Sequence, residues 1–532
     1  MSIAVGIDVG GTNTDAVALS AAGEVIAWTK SPTTPDVTGG IRASLTRVLA
    51  DLGERRDAVS RVMLGTTHAT NAIVRRRDLG RVAVIRLGAP AATVYPPLIG
   101  WPGDLRDTVL AGVALVGGGH MVDGYPIKPL DRDVILRFLD FHAGAFDAVA
   151  VSGIFSPSFP DQELEVEQLI RDHVGAAIPV ALSSEIGALG LLERENATVL
   201  NAALHRVAQD VTSALTTVTA EEGIGATTYF AQNDGTLMAV EYAARYPVLT
   251  IGSGPANSIR GAAYLTGADN AIVVDVGGTT SDFGVLVDRF PRESTMPREV
   301  GGVRTNFRMP DILSLGLGGG TIVDPATGVP GHDSVGYRIT EEALIFGGST
   351  ATLTDAAAAQ GGGPAGRTLA DLARTRLADL DGSTRAGLAT ALASAHDRIE
   401  SAVERMSLGR TGLPLVVVGG GGFLVPDRVL GAGDVLRPEH GDVANAVGAA
   451  IALAGGRAEE VCDFVDRAAA IGQASRAAID RAIQAGADPT RVKIIDVLES
   501  PVSYSVRPTL KVSVKAAGPL AQFRHFPPTS ER

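Results

Sequence analysis

The chain carries one cysteine, Cys462, in 532 residues, which excludes an intramolecular disulfide and a cysteine metal cage. That residue reads as core filler on a helix. Aromatic residues make up only 5% of the sequence against 45% hydrophobic residues in all, so the core must be built mainly from Ala, Val, Leu and Ile. Basic charge is the minority sign: 46 Lys and Arg face 59 Asp and Glu, for a net charge of −13. Neither basic residue gathers into a long run, so a nucleic-acid surface lacks electrostatic support. There is no stretch of about 18 uninterrupted apolar residues for a membrane span. The first residues have neither the basic region nor the apolar core of a signal peptide, and a cytoplasmic location is the expectation. Gly-x-x-x-x-Gly-Lys-[Ser/Thr], a Gly-x-Gly-x-x-Gly opening a helix after the first strand, Gly-x-Ser-x-Gly and His-Glu-x-x-His are all missing. P-loop, dinucleotide, serine-hydrolase and zinc-protease readings lose their main support.

Glycine, in contrast, is abundant at 64 residues, and it is placed with a pattern. The apolar run 3–7 ends at Asp8-Val9-Gly10-Gly11-Thr12-Asn13-Thr14-Asp15, and the run 271–274 ends at Asp275-Val276-Gly277-Gly278-Thr279-Thr280-Ser281-Asp282. Six of the eight positions are identical. An alternating apolar segment follows each copy, so each reads as a β-hairpin. Paired glycines let the backbone turn tightly and approach a phosphate with its N–H groups unobstructed. The leading aspartate, at the end of a buried strand, can hold a hydrated magnesium ion that bridges phosphates. Hairpin turn chemistry alone explains one such copy. Two copies half a chain apart predict one polyphosphate site, with Gly10, Gly11, Thr12, Asn13, Thr14, Gly277, Gly278, Thr279 and Thr280 around the phosphates and Asp8 and Asp275 on the metal. A third glycine turn, Gly419-Gly420-Gly421, follows the apolar segment 413–418 and is a candidate rest for the adenine or ribose.

Further candidates surround this pair. Thr66, Thr67, His68 and Asn71 follow an apolar run and are expected to line the cleft wall, with His68 either orienting substrate or serving as a structural hydrogen-bonder. Asp311 precedes a glycine turn and is read as a proton acceptor or metal ligand, or else as an N-cap. Asp15 and Asp282, at the hairpin exits, are read equally as caps and as catalytic groups. Glu195 and Asn201 lie six apart on a predicted helix, on different faces, and do not share a task.

The order of motifs resembles one family. The paired Asp-x-Gly-Gly-Thr turns look like the phosphate loops of the actin, sugar-kinase and Hsp70 ATPase superfamily. Within it, Leu64-Gly65-Thr66-Thr67-His68-Ala69-Thr70-Asn71, Glu193-Arg194-Glu195-Asn196-Ala197-Thr198, Gly252-Ser253-Gly254-Pro255-Ala256, Leu315-Gly316-Leu317-Gly318-Gly319-Gly320-Thr321 and His332-Asp333-Ser334-Val335-Gly336 are similar in order to the hydantoinase/oxoprolinase family, in its N-methylhydantoinase A-type subunit. The resemblance covers about residues 3 to 455. It implies an α/β fold of two actin-like, ribonuclease H-like lobes with mixed sheets flanked by helices around a nucleotide cleft. It also implies ATP with Mg2+, or Mn2+ as the alternative ion, and ring opening of a small cyclic amide such as a hydantoin, lactam or oxoproline. The implied partner is a larger hydantoinase B-type subunit or another protein encoded nearby, with a second copy of the chain as a further candidate. The chain departs from longer members at Leu313, where a histidine often stands, which leaves a second metal without that ligand. Ketone carboxylation, small-molecule phosphorylation and an ATP-driven clamp remain the alternative activities.

The length predicts more than one core, divided as a first lobe to residue 190, a second over 191–455 joined through a helical connector near 193–204, and an extension over 456–532. Residues 356–366 are expected to be exposed, 458–485 helical, and the end around Phe526 frayed.

Overall fold

The computed structural model describes residues 2–11, 13–33, 37–187, 189–294, 297–306, 309–361, 366–502 and 507–521. Thr12 and the end around Phe526 lie outside them. Two of its sheets begin in the same way. Ile3–Val9 pairs antiparallel with Asn13–Leu19 and parallel with Val59–Thr66. Ala271–Val276 pairs antiparallel with Ser281–Val287 and parallel with Leu415–Val418. The registers coincide: Asp8 faces Asp15 and Asp275 faces Asp282. Each turn is closed by the same bond, Gly10 N–H to the Asn13 carbonyl at 3.0 Å and Gly277 N–H to the Thr280 carbonyl at 2.9 Å. The duplicated octapeptide is therefore a duplicated structure.

These strands are apolar on both faces because helices cover both. Ile272, Val274 and Val276 join one core while Ala271 and Val273 join another, the period-2 alternation of a strand. In the parallel four-stranded sheet formed by Leu110–Gly117, Val82–Ala89, Ala148–Gly153 and Val180–Leu182, Val82 and Val84 likewise part from Ala83, Ile85 and Leu87. Two helices, Ser253–Thr266 and Ala444–Ile451, cross with their backbones in contact. A Cβ at Gly261 would run into Ala444, one at Gly448 into the Asn257 carbonyl, and one at Gly6 into Ala446. Glycine is required at these three points because no side chain fits between the backbones. The α/β class with mixed sheets flanked by helices is as the sequence implied.

The nine-stranded sheet runs from Lys493–Pro501 through Thr509–Gly518, Ala454–Asp463, Leu237–Ala239 and Thr227–Ala231 to Val59–Thr66, Ile3–Val9, Asn13–Leu19 and Val25–Pro32, and so draws strands from both sides of residues 190 and 455. Several local expectations need correction. The helix Leu191–Ala203, read as the connector to the second lobe, packs on the four-stranded sheet. It anchors there through Glu195, which binds Arg86 at 2.5 Å and Ser152 at 2.7 Å. Cys462 is on a strand, Ala454–Asp463, and only the later part of 458–485 is helical, as Arg467–Gln484. Ala356 and Ala357, expected to be exposed, are buried in the helix Leu353–Ala359, which opens with a Thr352–Asp355 capping box.

Candidate functional site

Asp8 and Asp275 close the first strand of each hairpin, and the two crossing helices join them. Asn445 Nδ2 donates to Asp8 Oδ2 at 3.3 Å. Ser258 Oγ lies 2.5 Å from Asn445 Oδ1 and 2.5 Å from Asp275 Oδ2, one hydroxyl hydrogen between two acceptors. The carboxylates thus stand at the ends of one chain, Asp8, Asn445, Ser258, Asp275. Each also has a glycine beside it, and in each case a Cβ would strike the carboxylate: Gly65 for Asp8, and Gly419, at φ +84°, for Asp275. In the first sheet that glycine is the direct register partner of Asp8.

Four carboxylates share this region. Asp15 is ion-paired to Lys30 at 2.8 Å, and Lys30 Nζ also donates to the Asp442 carbonyl at 2.9 Å, tying the first hairpin's sheet to the loop ahead of the second crossing helix. Asp282 Oδ1 accepts from Ser314 Oγ at 2.5 Å. Burial pushes Asp8 up to about 7, helped by the charges of Asp15 and Asp275 and opposed by Asn445 and Lys30. Burial likewise raises Asp15 to about 6 against the pull of Lys30, Asp282 to about 6 against its Ser314 bond, and Asp275 against its Ser258 bond. Asp8 Oδ1 is buried with no hydrogen-bond partner, as are both amide atoms of Asn257. A concentration of negative charge with a vacant carboxylate oxygen fits a hard divalent cation. Among the described residues no group of three or more His, Cys, Asp or Glu could hold a metal ion by itself. Mg2+ keeps waters and phosphate oxygens and takes only one or two carboxylates, and Asp8 and Asp275 are two.

The remaining candidates divide. Gly11, Thr279 and Thr280 are exposed, with Gly10, Asn13, Gly277 and Gly278 half-buried around them. Thr14 is buried, its hydroxyl 3.2 Å from that of Thr33. Thr67 braces the first turn through its N–H and hydroxyl, both donated to the Val9 carbonyl, and Asn71 Nδ2 donates to Thr67 Oγ1 at 3.2 Å. His68 stands apart from the Asp8–Asp275 chain. Its Nδ1 is 2.7 Å from Thr66 Oγ1, and it lines a small pocket with Val207, Val211, Phe230 and Pro247. Burial, followed by the charge of Arg75, lowers its pKa, so the ring is neutral at pH 7. Asp311 is ion-paired through one oxygen to Arg292, at 2.8 Å, and through the other to Arg298. The turn at Gly419–Gly421 spends Gly419 N–H on the Gly441 carbonyl and Gly421 N–H on the Val276 carbonyl, so it braces the second hairpin. Gly420 faces Lys30, whose Cε lies 3.7 Å from where a Cβ would be. Gly319 and Gly320 brace the same turn through the Gly277 and Gly278 carbonyls. A separate cavity of about 160 Å3, bounded by Asn233, Asp234, Arg457, Glu459 and Arg481, holds none of these candidates.

Ser258, Asn445, Asn257 and Lys30 were not anticipated from sequence. Asn445 did carry a signal, being the one polar side chain on the helix Ala444–Ile451, whose remaining residues are apolar or glycine.

Comparison with known proteins gives two family models in order along the chain: the hydantoinase/oxoprolinase N-terminal region over residues 4–174 and hydantoinase/oxoprolinase over 194–456. The caprolactamase subunit alpha of Pseudomonas jessenii is 29% identical over 392 residues, 67% of this chain and 54% of that protein. The acetophenone carboxylase gamma subunit of Aromatoleum aromaticum is 28% identical over 389 residues, 66% of this chain and 52% of that protein. The chain spans about half the length of the curated relatives it matches. The crystal structure of the ATP-dependent caprolactamase from Pseudomonas jessenii superposes with a TM-score of 0.76 at 21% identity, over 98% of this chain and 89% of that one, a likeness of fold. On the two models, which together account for most of its length, the chain belongs to the hydantoinase/oxoprolinase family.

Proposed function

We propose that this chain is the nucleotide-binding subunit of an ATP-dependent cyclic amidase. The observation that carries the reading is the chain Asp8, Asn445, Ser258, Asp275, which brings the acidic ends of two register-matched hairpins together. ATP enters between the hairpins, its phosphates against the exposed turn residues Gly11, Thr279 and Thr280, and Asp8 and Asp275 would hold Mg2+. When bound, that ion supplies charge neutralisation to the polyphosphate. The carbonyl oxygen of a hydantoin, lactam or oxoproline-like ring attacks the γ-phosphorus. One P–O bond forms as the bond to the β-phosphate oxygen breaks, and ADP departs. Water then adds to the activated carbon, the C–N bond opens as the ring nitrogen takes a proton, and a second water hydrolyses the acyl phosphate left behind to carboxylate and inorganic phosphate. Fixed donors and dipoles around the transferring group are the main source of acceleration in such chemistry. A larger second subunit completes the hydrolytic half, in keeping with the subunit names of both relatives.

The alternative, a ketone carboxylase subunit, is favoured by the acetophenone carboxylase relative. Both follow from one device, phosphorylation of a carbonyl or enolate oxygen. ATP hydrolysis is to be measured against hydantoins, lactams and small ketones, with and without bicarbonate and the protein encoded beside this one. Stimulation by a cyclic amide without bicarbonate is expected. Stimulation by a ketone that requires bicarbonate selects the carboxylase, and a stable phosphorylated product formed without a partner selects a small-molecule kinase.

A further inference from the structure

The helix Ser253–Thr266 presents two consecutive side chains to the two carboxylates. Ser258 is bonded to Asp275. Asn257, one residue earlier, is fully buried beside Asp8, and neither its amide oxygen nor its amide nitrogen has a hydrogen-bond partner. A buried primary amide left unpaired at both ends costs free energy unless something absent from the protein satisfies it. The neighbouring Asp8 Oδ1 is in the same condition. The two residues meet at Gly65, where a Cβ would strike both Asp8 Oδ1 and Asn257 Nδ2. The Asn257 backbone is fixed by close approach to Gly448 of the crossing helix. Its side-chain amide lies next to a buried carboxylate oxygen that has no partner among the described residues.

We infer that Asn257 is a positioning residue for the divalent cation, its amide and Asp8 Oδ1 together holding a water molecule of the hydrated ion. This rests on the nucleotide-cleft reading of Asp8 and Asp275. A water bound to a divalent cation commits a lone pair to the metal and has two hydrogens to donate. Asp8 Oδ1 and the Asn257 oxygen are two vacant acceptors for them, and the amide N–H2 is left to donate to a second water or a phosphate oxygen. Serine or threonine would be too short to serve both partners, and aspartate would add a fifth carboxylate to the four already present. Gly65 is explained by the same arrangement, since its missing side chain is the space the two polar groups occupy.

The test uses Mn2+ as the probe ion with ADP, read by electron paramagnetic resonance and by water-proton relaxation of the bound ion, so no ring-opening activity is needed. In Asn257→Leu, close in size and without polar atoms, Mn2+ affinity in the ADP complex should fall about 10- to 100-fold, the scale for lost outer-shell partners of a metal. Binding of ADP in excess chelator should stay unchanged. The relaxation enhancement should also change, because a held water is lost. Asn257→Asp, which keeps the acceptors, should retain more affinity than leucine does. Thermal melts of both variants in chelator report the fold. If leucine is poorly folded, the comparison of Asn257→Asp with wild type decides, with altered relaxation at retained binding expected. Wild-type affinity and relaxation in a folded variant would overturn the inference while leaving the cleft intact. Failure of the wild-type protein to bind Mn2+ with ADP would overturn both readings together.

Discussion

The two oxygens of Asp8 are in different circumstances: Oδ2 is held by Asn445 and Oδ1 is buried with no partner. Such a carboxylate is poorly stabilised as an anion until a cation arrives, which is why burial carries its pKa to about 7. The sign of the stability effect follows. The unfolded chain releases this proton near pH 4 and the folded chain near pH 7, so the folded state binds more protons between those values and stability falls as pH rises through that window. Asp15 and Asp282, both raised to about 6, act in the same direction. Asp8→Asn should therefore melt higher than the wild type at pH 8 in chelator, with the difference shrinking toward pH 4. The same substitution should depress ATP turnover by about a hundredfold or more, the scale of losing charge stabilisation at a transferring group. Calorimetry across pH and a phosphate-release assay check the two halves. A variant that keeps near-wild-type turnover removes Asp8 from the metal.

At the scale of elements, the hairpins were legible, as was a helix near Ala444–Ile451, and the contacts that join the hairpins were not. Each hairpin is a local device, with apolar strand, glycine turn and second strand consecutive in sequence, so an octapeptide carried its whole description. Ser258 and Asn445 meet across 187 positions, and no local periodicity reports such a contact. The strand Ala454–Asp463 was misread for another reason: Arg457 and Glu459 pair with Glu293, at 2.7 Å, and Lys511, at 3.6 Å, and these half-buried ions hide its alternation. The buried alanines at 356 and 357 lack the bulk that marks a core, yet they serve where the long helix Gly382–Ser407 comes close, with Leu388, Ala391 and Ala395 in the same core. Small residues carry the crossing of Ser253–Thr266 and Ala444–Ile451 as well. Gly448→Val should force the two backbones apart, lowering stability by about 1 to 3 kcal/mol from overpacking and dragging Asn445 out of line. Gly472→Ala, in the helix Arg467–Gln484 with only the end of Arg476 within contact range, should instead stabilise by up to about 1 kcal/mol. Urea denaturation of both variants distinguishes a crowded crossing from a general intolerance of change at glycine.

At the scale of the whole molecule, the family match ends at residue 456 while the first sheet does not. Thr509–Gly518 pairs with Ala454–Asp463 along ten residues and carries Val512, Val514 and Ala516 into the core of the first sheet. The helix Arg467–Gln484 packs on those strands through Ala474, Ala478 and Ala482, all fully buried. Lys515, itself buried, reaches Asp234 at 2.7 Å and Glu293 at 3.0 Å, so the last strand is bound by charge to two other parts of the chain. A linear division would make 456–532 a detachable extension. The pairing makes it the completion of the sheet on which Asp8 lies, since the segment ends one edge of that sheet and Asp8 stands on a strand inside it. A chain stopped at residue 456 should lose Thr509–Gly518 and most of Ala454–Asp463, leaving that end of the sheet as an open edge over uncovered apolar surface, a template for aggregation. It should lose its cooperative melting transition and elute as aggregate in size-exclusion chromatography, with nucleotide affinity lost along with the fold. A monomeric truncation with a sharp melt and intact nucleotide binding would show that the first sheet is complete without these strands.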